Sequence, residues 1–585
     1  MHLTDEEKEK SVVAEVSKDQ LMAYTTRIVE NDRLSGSKGE ARAVEYFEEV
    51  MTGLGFEVEV IHIENLISLP IKASVTVISP EQRQISCITQ SFSASTPPQG
   101  VTAELIYLPA GNEADVAGKI IMREGLAAPG PTWDMEAKGA AGQVWINSGD
   151  LPHNMCISTI WGHPTPETAY RIPKRPTVSV GREAGEYLKM LCSGGAVKIR
   201  LHTAVKTCFM KVPLAVASVK GIVEPEKYIL FNGHIDSWHK GASDNGTANA
   251  CMLEVARVIA KHRDELRRGI RFVWWSGHSH GRYSGSTWYA DHNWEDLYQN
   301  AVVHLNVDSL GCRGATMYPD VESTAECYGL GKSVVETYAN QSPAYQRIGH
   351  SGDNSFWGIG IPTLFQLLSR QPKDASGPDA LIPGLAWFWH TEADTLDKID
   401  PDILFTDARI YMAAVWRLCM LPVIPFDFEF TAQETITLLK DLDKKAGSSF
   451  DLSQAVQIAE TFKKKALLLK QKCIELSRKI SNNASAAIEE RLNTAAVSLD
   501  QCIMKLSRIL IPVSYSGTDR FDMDLAVSIP PFPRLQPVAE LAAMDPRSHD
   551  FKYLERKMVR ERNRVCHALI KAAGCIDRTL SSLRL

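Results

Sequence analysis

Apolar residues recur along this chain with two different periods, and the places where the period changes divide it. Over 5–32, and again over 39–54, the spacing is helical: Val44, Phe47, Met51 and Leu54 fall on one stripe, Ser37 stands at an N-cap position, and Gly55 marks the stop. Residues 56–63, FEVEVIHI, then alternate like a half-buried strand. Helix followed by strand predicts an α/β layer from the start. From SASTPPQG (93–100) to about 205 the chain breaks into short strands between Gly and Pro turns, among them AELIYLP, GKIIMRE, GAAGQVWINSG and VKIRLHT. That is the pattern of a small, separate β-rich module. Alternation of strand and helix resumes at 211 with KYILFNGHID, NGTANACMLEVARVIAKH, GIRFVWWSG and NAVVHLNVDSLG. It predicts an α/β fold with a mixed, mostly parallel sheet sandwiched by helices. Beyond about 426 only helical periods remain. A long amphipathic helix starts near Asp451 and Gln454, which have capping-box spacing; a second follows around 484–511; SIPPFPRLQP crosses to a basic helix at 550–575. The expected division is 1–98 and 209–425 as two parts of one α/β domain, 99–208 as an insert, and 426–585 as a helical packing or dimerisation domain.

Length agrees with this, since 585 residues exceed what one core supports. Hydrophobic residues make up 44% and charged residues 23%, with a net charge of −6. No electrostatic case arises for nucleic acid or an anionic membrane as partner. The first residues, MHLTDEEKEKSVV, lack the apolar centre of a signal peptide, and no apolar run reaches the ~18 residues that would span a bilayer. Twelve cysteines are scattered singly with no CxxC pair, as expected for reduced thiols in a cytoplasmic protein.

In open α/β sheets, ligands collect beyond the carboxyl ends of the strands. Four strand ends here carry metal-competent groups. His234 lies just past an apolar strand, and Asp236 is placed to accept its other N–H. Asp244 follows in a Gly/Asn turn, where taken singly it would be a plain helix cap. RFVWWSGHSHGRYSGSTWYAD, residues 271–291, runs from strand into small residues carrying His278, His280, Arg282 and Tyr283. VVHLNVDSLGC puts Asp308 at a third strand end, and WFWHTEADTLDKID puts His390 after an aromatic run, where alone it would read as a satisfied core histidine. Together, two histidines and two aspartates in small-residue turns suit zinc, with one carboxylate able to bridge two ions. Arg282 and Tyr283 read either as a salt bridge with a packed aromatic or as a carboxylate contact with an oxyanion donor.

GHIDSWHKGASDNGTANACMLEVARVIA resembles the H-x-D … D-N-x-x-G/A-x-A signature of the cocatalytic zinc aminopeptidases, a group that includes the glutamate carboxypeptidase and transferrin-receptor branch. HTEADTLDKID, HLNVDSLG and RLSGSKGEARAVEYFEEVMTGLGFEVE are similar to further segments of that family, and 100–205 resembles its inserted protease-associated domain. The helical end corresponds to that branch's dimerisation domain in position only, which implies a homodimer through it. The resemblance implies that His234, Asp244 and Asp308 hold one zinc, that Asp244 bridges to a second held also by His390, and that Asp236 partners His234. It places GHSGDNSFWGIGIP (349–362) at a substrate-facing loop, with Asp353 a candidate for a substrate amine.

The chain departs from the family at one point. The strand equivalent to IRFVWWSG ends there in two adjacent glutamates, a general base and a metal ligand. Here His278 takes the base position and Ser279 the ligand position when counted from the strand or from Gly281. Counting back from Gly285–Ser286 gives Ser279 and His280 instead. Three arrangements follow: one zinc with His278 as base; a dinuclear site with His278 or His280 as ligand; or a catalytically dead site. An imidazole is a competent base and a good zinc ligand. The expected function is a zinc-dependent, exopeptidase-like hydrolase with one or two ions per chain. It would cleave amide bonds of peptides or N-acyl amino acids by metal-activated water, with His278 taking the proton. The alternative is a catalytically inactive, peptidase-like binding or assembly protein.

Overall fold

The computed structural model describes residues 6–112, 114–372, 385–481 and 486–583. Its centre is three parallel strands, with Glu224–His234 in the middle and Arg268–Trp275 and Ala301–Asn306 on either side. Their near-continuous apolar runs fit a sheet covered on both faces. Successive residues show this: Trp274 packs on one face, stacked on Phe47 with ring centroids 5.1 Å apart, and Trp275 packs on the other against Tyr289 at 5.2 Å. Helices Lys38–Gly53, Ala248–Lys261 and Pro401–Met420 supply the first layer.

The helix expected over 5–32 is two helices, Glu6–Val13 and Lys18–Ile28. Ser17 divides them, because its side chain accepts from the Gln20 N–H at 3.2 Å and starts the second helix afresh. Ser37 caps Lys38–Gly53 in the same way, accepting from the Glu40 N–H.

The strand that begins as FEVEVIHI continues far beyond it, over Glu57–Ser79. It pairs antiparallel with Val197–Val219, from Glu57 opposite Ser218 to Ser79 opposite Lys198. This two-stranded ribbon joins the central sheet at one end, where Val197–Val219 pairs with Arg268–Trp275. At the other end it carries an outer lobe of strands Val101–Tyr107, Ile120–Glu124, Gly142–Ile146 and Thr177–Val180, with Ile88–Thr89 at the far edge. The lobe has its own core, including Leu105, Ile120, Met122, Val144 and Leu188. The described strands form one sheet of fourteen.

The C-terminal region is helical, with long helices Phe428–Ala446, Ser453–Ser481, Ala486–Tyr515 and His549–Ser582. Residues 484–485, expected within the second long helix, lie outside the described residues. A buried ion pair fastens this region to the sheet: Arg268 reaches Glu224 at 2.9 Å and also pairs with Asp500 on Ala486–Tyr515. All twelve cysteines are free. Among the described residues, no helix is long and apolar enough to cross a membrane.

Candidate metal centre

The three central strands end at one point. His234 is the last residue of Glu224–His234, Asp308 lies just past Ala301–Asn306, and His278 just past Arg268–Trp275. One potential ligand atom from each falls within 4.8 Å of the others. Asp244 enters from the turn Ala242–Thr247 ahead of helix Ala248–Lys261. Its Oδ1 is 3.1 Å from His234 Nε2, and its Oδ2 is 3.0 Å from His390 Nε2. Asp308 Oδ2 is 3.7 Å from His234 Nε2. Two donors on one tetrahedral zinc are about 3.4 Å apart, given bonds near ~2.1 Å. The spacing therefore fits zinc, and the two oxygens of Asp244, each facing a different histidine, fit a bridging carboxylate. His234 Nε2 adds a second sign, since it is buried with no hydrogen bond although two carboxylates face it.

The electrostatics agree. Burial works against charge on His234, yet Asp244 and Asp308 raise its pKa well above the ordinary imidazole value. Burial likewise works against charge on Asp244, and His234 and His390 hold it well below the ordinary carboxylate range. Carboxylates that draw this strongly on neighbouring imidazoles are suited to a cation.

The surrounding residues fix the orientation of these groups. His234 Nδ1 lies 2.8 Å from the backbone oxygen of Asp236, which leaves Nε2 for the cluster. The Asp236 carboxylate, expected to be that partner, is 3.8 Å away and does something else. It accepts from the N–H groups of His278 at 3.2 Å and Ser279 at 2.8 Å, and from Ser35 Oγ at 2.7 Å. The turn after Trp275 points its amides at Asp236, so this carboxylate shapes the turn that carries His278. Two supporting residues were missed in the sequence. Asp394 accepts from Ser243 N–H and Oγ at 2.9 Å and from Asp244 N–H at 3.1 Å, and burial pushes it up to about 7. Its signal was its fixed spacing in HTEAD. Arg33, fully buried, donates to the carbonyls of Ile235, Lys240 and Gly241 at 3.0, 2.8 and 3.0 Å, tying the His234 loop to the Asp244 turn. Nothing in the sequence marked it.

The rewritten turn has one histidine in the cluster and one beneath it. His278 stacks on His234 with centroids 3.8 Å apart and an 8° tilt. Its Nδ1 is 2.8 Å from Asp353 Oδ2, while Ser286 Oγ donates to Asp353 Oδ1 at 2.8 Å. Asp353, expected to hold a substrate amine, therefore has both oxygens engaged within the chain. His280, a candidate ligand or base, is instead buried with Nδ1 3.0 Å from Ser35 Oγ and its ring against Trp238. Arg282 and Tyr283, expected among the catalytic groups, are packing residues here. Arg282 donates to the Ala526 carbonyl at 3.2 Å and lies over the Tyr283 ring, and Tyr283 is buried between Trp161 and His278. Both adopt a left-handed backbone, with φ of 51° and 69°, in a turn anchored by the N–H of Ser284 on the Gly277 carbonyl. His390 Nδ1 is 2.7 Å from the Asn154 carbonyl, which again leaves Nε2 for the cluster.

Residues 215–415, which contain every one of these candidate ligands, match the profile of peptidase family M28. Bovine carboxypeptidase Q is 26% identical over 44% of this chain and 58% of its own length, so the match spans little more than half of that protein. Mouse carboxypeptidase Q is 25% identical over 68% of this chain and 83% of its own length. A solved structure of BSAP, a zinc aminopeptidase from Bacillus subtilis, superposes with a TM-score of 0.53 at 21% identity, over 69% of this chain and 95% of that one. The likeness to BSAP establishes the fold, and the profile match falls on the part of the fold that carries the cluster. Over residues 215–415, the part that carries the clustered side chains, the chain is similar to peptidase family M28.

Proposed function

We propose that this chain is a zinc-dependent, exopeptidase-like hydrolase of amide bonds in peptides or N-acyl amino acids. The observation that carries the reading is Asp244, whose two oxygens face His234 and His390 at 3.1 and 3.0 Å at the carboxyl edge of the central strands. His234, Asp244 and Asp308 would hold one zinc, with Asp244 and His390 holding a second. Zinc at this position supplies Lewis-acid polarisation of a carbonyl and lowers the pKa of water. The chain supplies the rest. With Asp353 accepting the His278 Nδ1 proton, Nε2 of this imidazole, whose ring lies in the cluster, is bare and would take a proton there. Asp236 holds the backbone of that turn, and Asp394 and Arg33 hold the Asp244 turn. The order of the segments supports reading the outer lobe as a protease-associated-like insert. Free, singly spaced cysteines support a cytoplasmic location, and the helical region is the part suited to homodimerisation.

Metal analysis and a peptide panel test this. The expected result is at least one zinc per chain, with hydrolysis abolished by chelation and restored by zinc. Less than one zinc per chain, with no loss of stability on chelation, would replace the enzyme by the inactive binding or assembly protein.

A further inference from the structure

We infer that the outer lobe completes the metal centre: Asn154, held in place by Gln90, positions His390. This rests on the zinc reading and adds to it a group from outside the segment that carries the ligands. His390 is joined to the outer lobe on both sides of the same residue. Its Nδ1 lies 2.7 Å from the Asn154 carbonyl, and its own carbonyl accepts from the Asn154 N–H at 2.9 Å. The first contact puts the ring proton on Nδ1 and leaves Nε2 bare toward Asp244, 3.0 Å away. The second holds a backbone that is otherwise unfavourable, because His390 has φ of 59°, in the left-handed region. A residue there keeps its conformation only when its surroundings fix it, and Asn154 fixes it from both ends.

Asn154 is itself restrained. Gln90, fully buried, donates to the His153 carbonyl at 3.1 Å and accepts from the Met155 N–H at 2.5 Å, gripping the residues on either side. It also donates to Ser179 Oγ at 2.8 Å on the outermost parallel strand, so the grip is anchored in the lobe's sheet. The Asn154 amide oxygen lies 2.9 Å from His239 Nε2, on the loop between His234 and Asp244. A chain of hydrogen bonds thus runs from the outer sheet through Gln90 and Asn154 to a metal-facing imidazole. Gln90 and Asn154 are positioning residues, and neither touches the reacting atoms.

The test compares full-length wild type, Gln90→Ala and His390→Ala. Zinc affinity is measured by chelator competition, and the His390 ring is followed by nitrogen-resolved NMR of histidine-labelled protein, its signal assigned by its loss in His390→Ala. Gln90→Ala is expected to weaken the ion that depends on His390 by about ten- to a hundred-fold, leave the other ion unchanged, and lose the protected Nδ1–H signal. Wild-type zinc affinities together with an intact Nδ1–H signal would overturn the inference. Should Gln90→Ala fail to fold, Gln90→Glu is read by the same criteria, since it keeps the acceptor for Met155 and loses both donated bonds. If wild type takes up no zinc, the zinc reading itself fails, while the His390 signal in metal-free protein still decides whether Gln90 sets that ring.

Discussion

Replacing Asp353 by alanine separates the two roles open to His278. The carboxylate is buried, and its two contacts differ in what they lose. Ser286 Oγ keeps the Tyr283 carbonyl at 3.1 Å and Ser355 Oγ at 2.9 Å, so it is not orphaned. His278 Nδ1 loses its 2.8 Å partner, and the ring proton is then free to move to Nε2 of a ring that lies in the cluster with His234 and Asp308. A hydrogen bond to a charged group is worth about 1.5–3 kcal/mol. At about 1.4 kcal/mol per factor of ten, the loss is roughly ten- to a hundred-fold. If His278 works as the base, kcat falls by that factor and zinc stays bound. If it works as a ligand, zinc affinity falls instead, by about ten- to a hundred-fold. Asp353→Asn, which can keep an oxygen on Nδ1, recovers part of either loss. The assays are steady-state kinetics on a peptide substrate and zinc titration of the metal-free chain. Asp353→Ala with kcat/KM within about twofold of wild type and unchanged zinc affinity would refute both roles, and with them the reading that this turn replaces the two glutamates.

Two further expectations concern stability. Burial pushes the Glu326 carboxyl from 4.5 up to about 7, so the folded chain holds a proton that the unfolded chain releases, and stability is lost as pH rises between those values. Glu326→Gln should flatten the pH dependence in that window and add up to about 3 kcal/mol at neutral pH, at ~1.4 kcal/mol per unit; denaturant titrations at pH 5 and 7.5 that match wild type would count against it. Phe47 is fully buried and stacked on Trp274, so Phe47→Ala should cost about 3–5 kcal/mol in the same assay, and a loss under ~1 kcal/mol would mean the sheet face is not packed as described.

The clustered residues were legible because each follows an apolar strand or aromatic run and stands in a turn of small residues. That local pattern placed His234, Asp244, Asp308 and His390 together, and His278 beside them. Their partners were not legible, since a side chain's partner is decided by which strand ends and loops meet in space. Asp353 stands 75 residues from His278, and Asn154 stands 236 residues from His390. Asp236 was placed correctly near His234, but its side chain follows the amides of the next turn, which no spacing encodes. His280 and Arg282 were indistinguishable by type from functional groups until the turn placed one beneath the cluster and the other against Ala526. In the fold, the strand–helix alternation carried its own message, while Ser17 looks the same in a helix interior as at a cap. The strand Glu57–Ser79 hid its length behind Pro70 and Lys72, where the register with Val197–Val219 shifts.

That ribbon also governs how the molecule can move. A strand of twenty-three residues, at about 3.3 Å each, paired along nearly its whole length makes a beam whose hydrogen-bonded ladder resists sliding and shear. The ladder slips register between Pro70 and Lys72, where a bulge loosens pairing and lets the strands bend and twist. Relative motion of the outer lobe is therefore expected as flexure about that point. Because Asn154 rides on the lobe and His390 on the central domain, such flexure would draw on the two hydrogen bonds between them. Bending of the beam and the geometry of the metal centre are mechanically one coordinate.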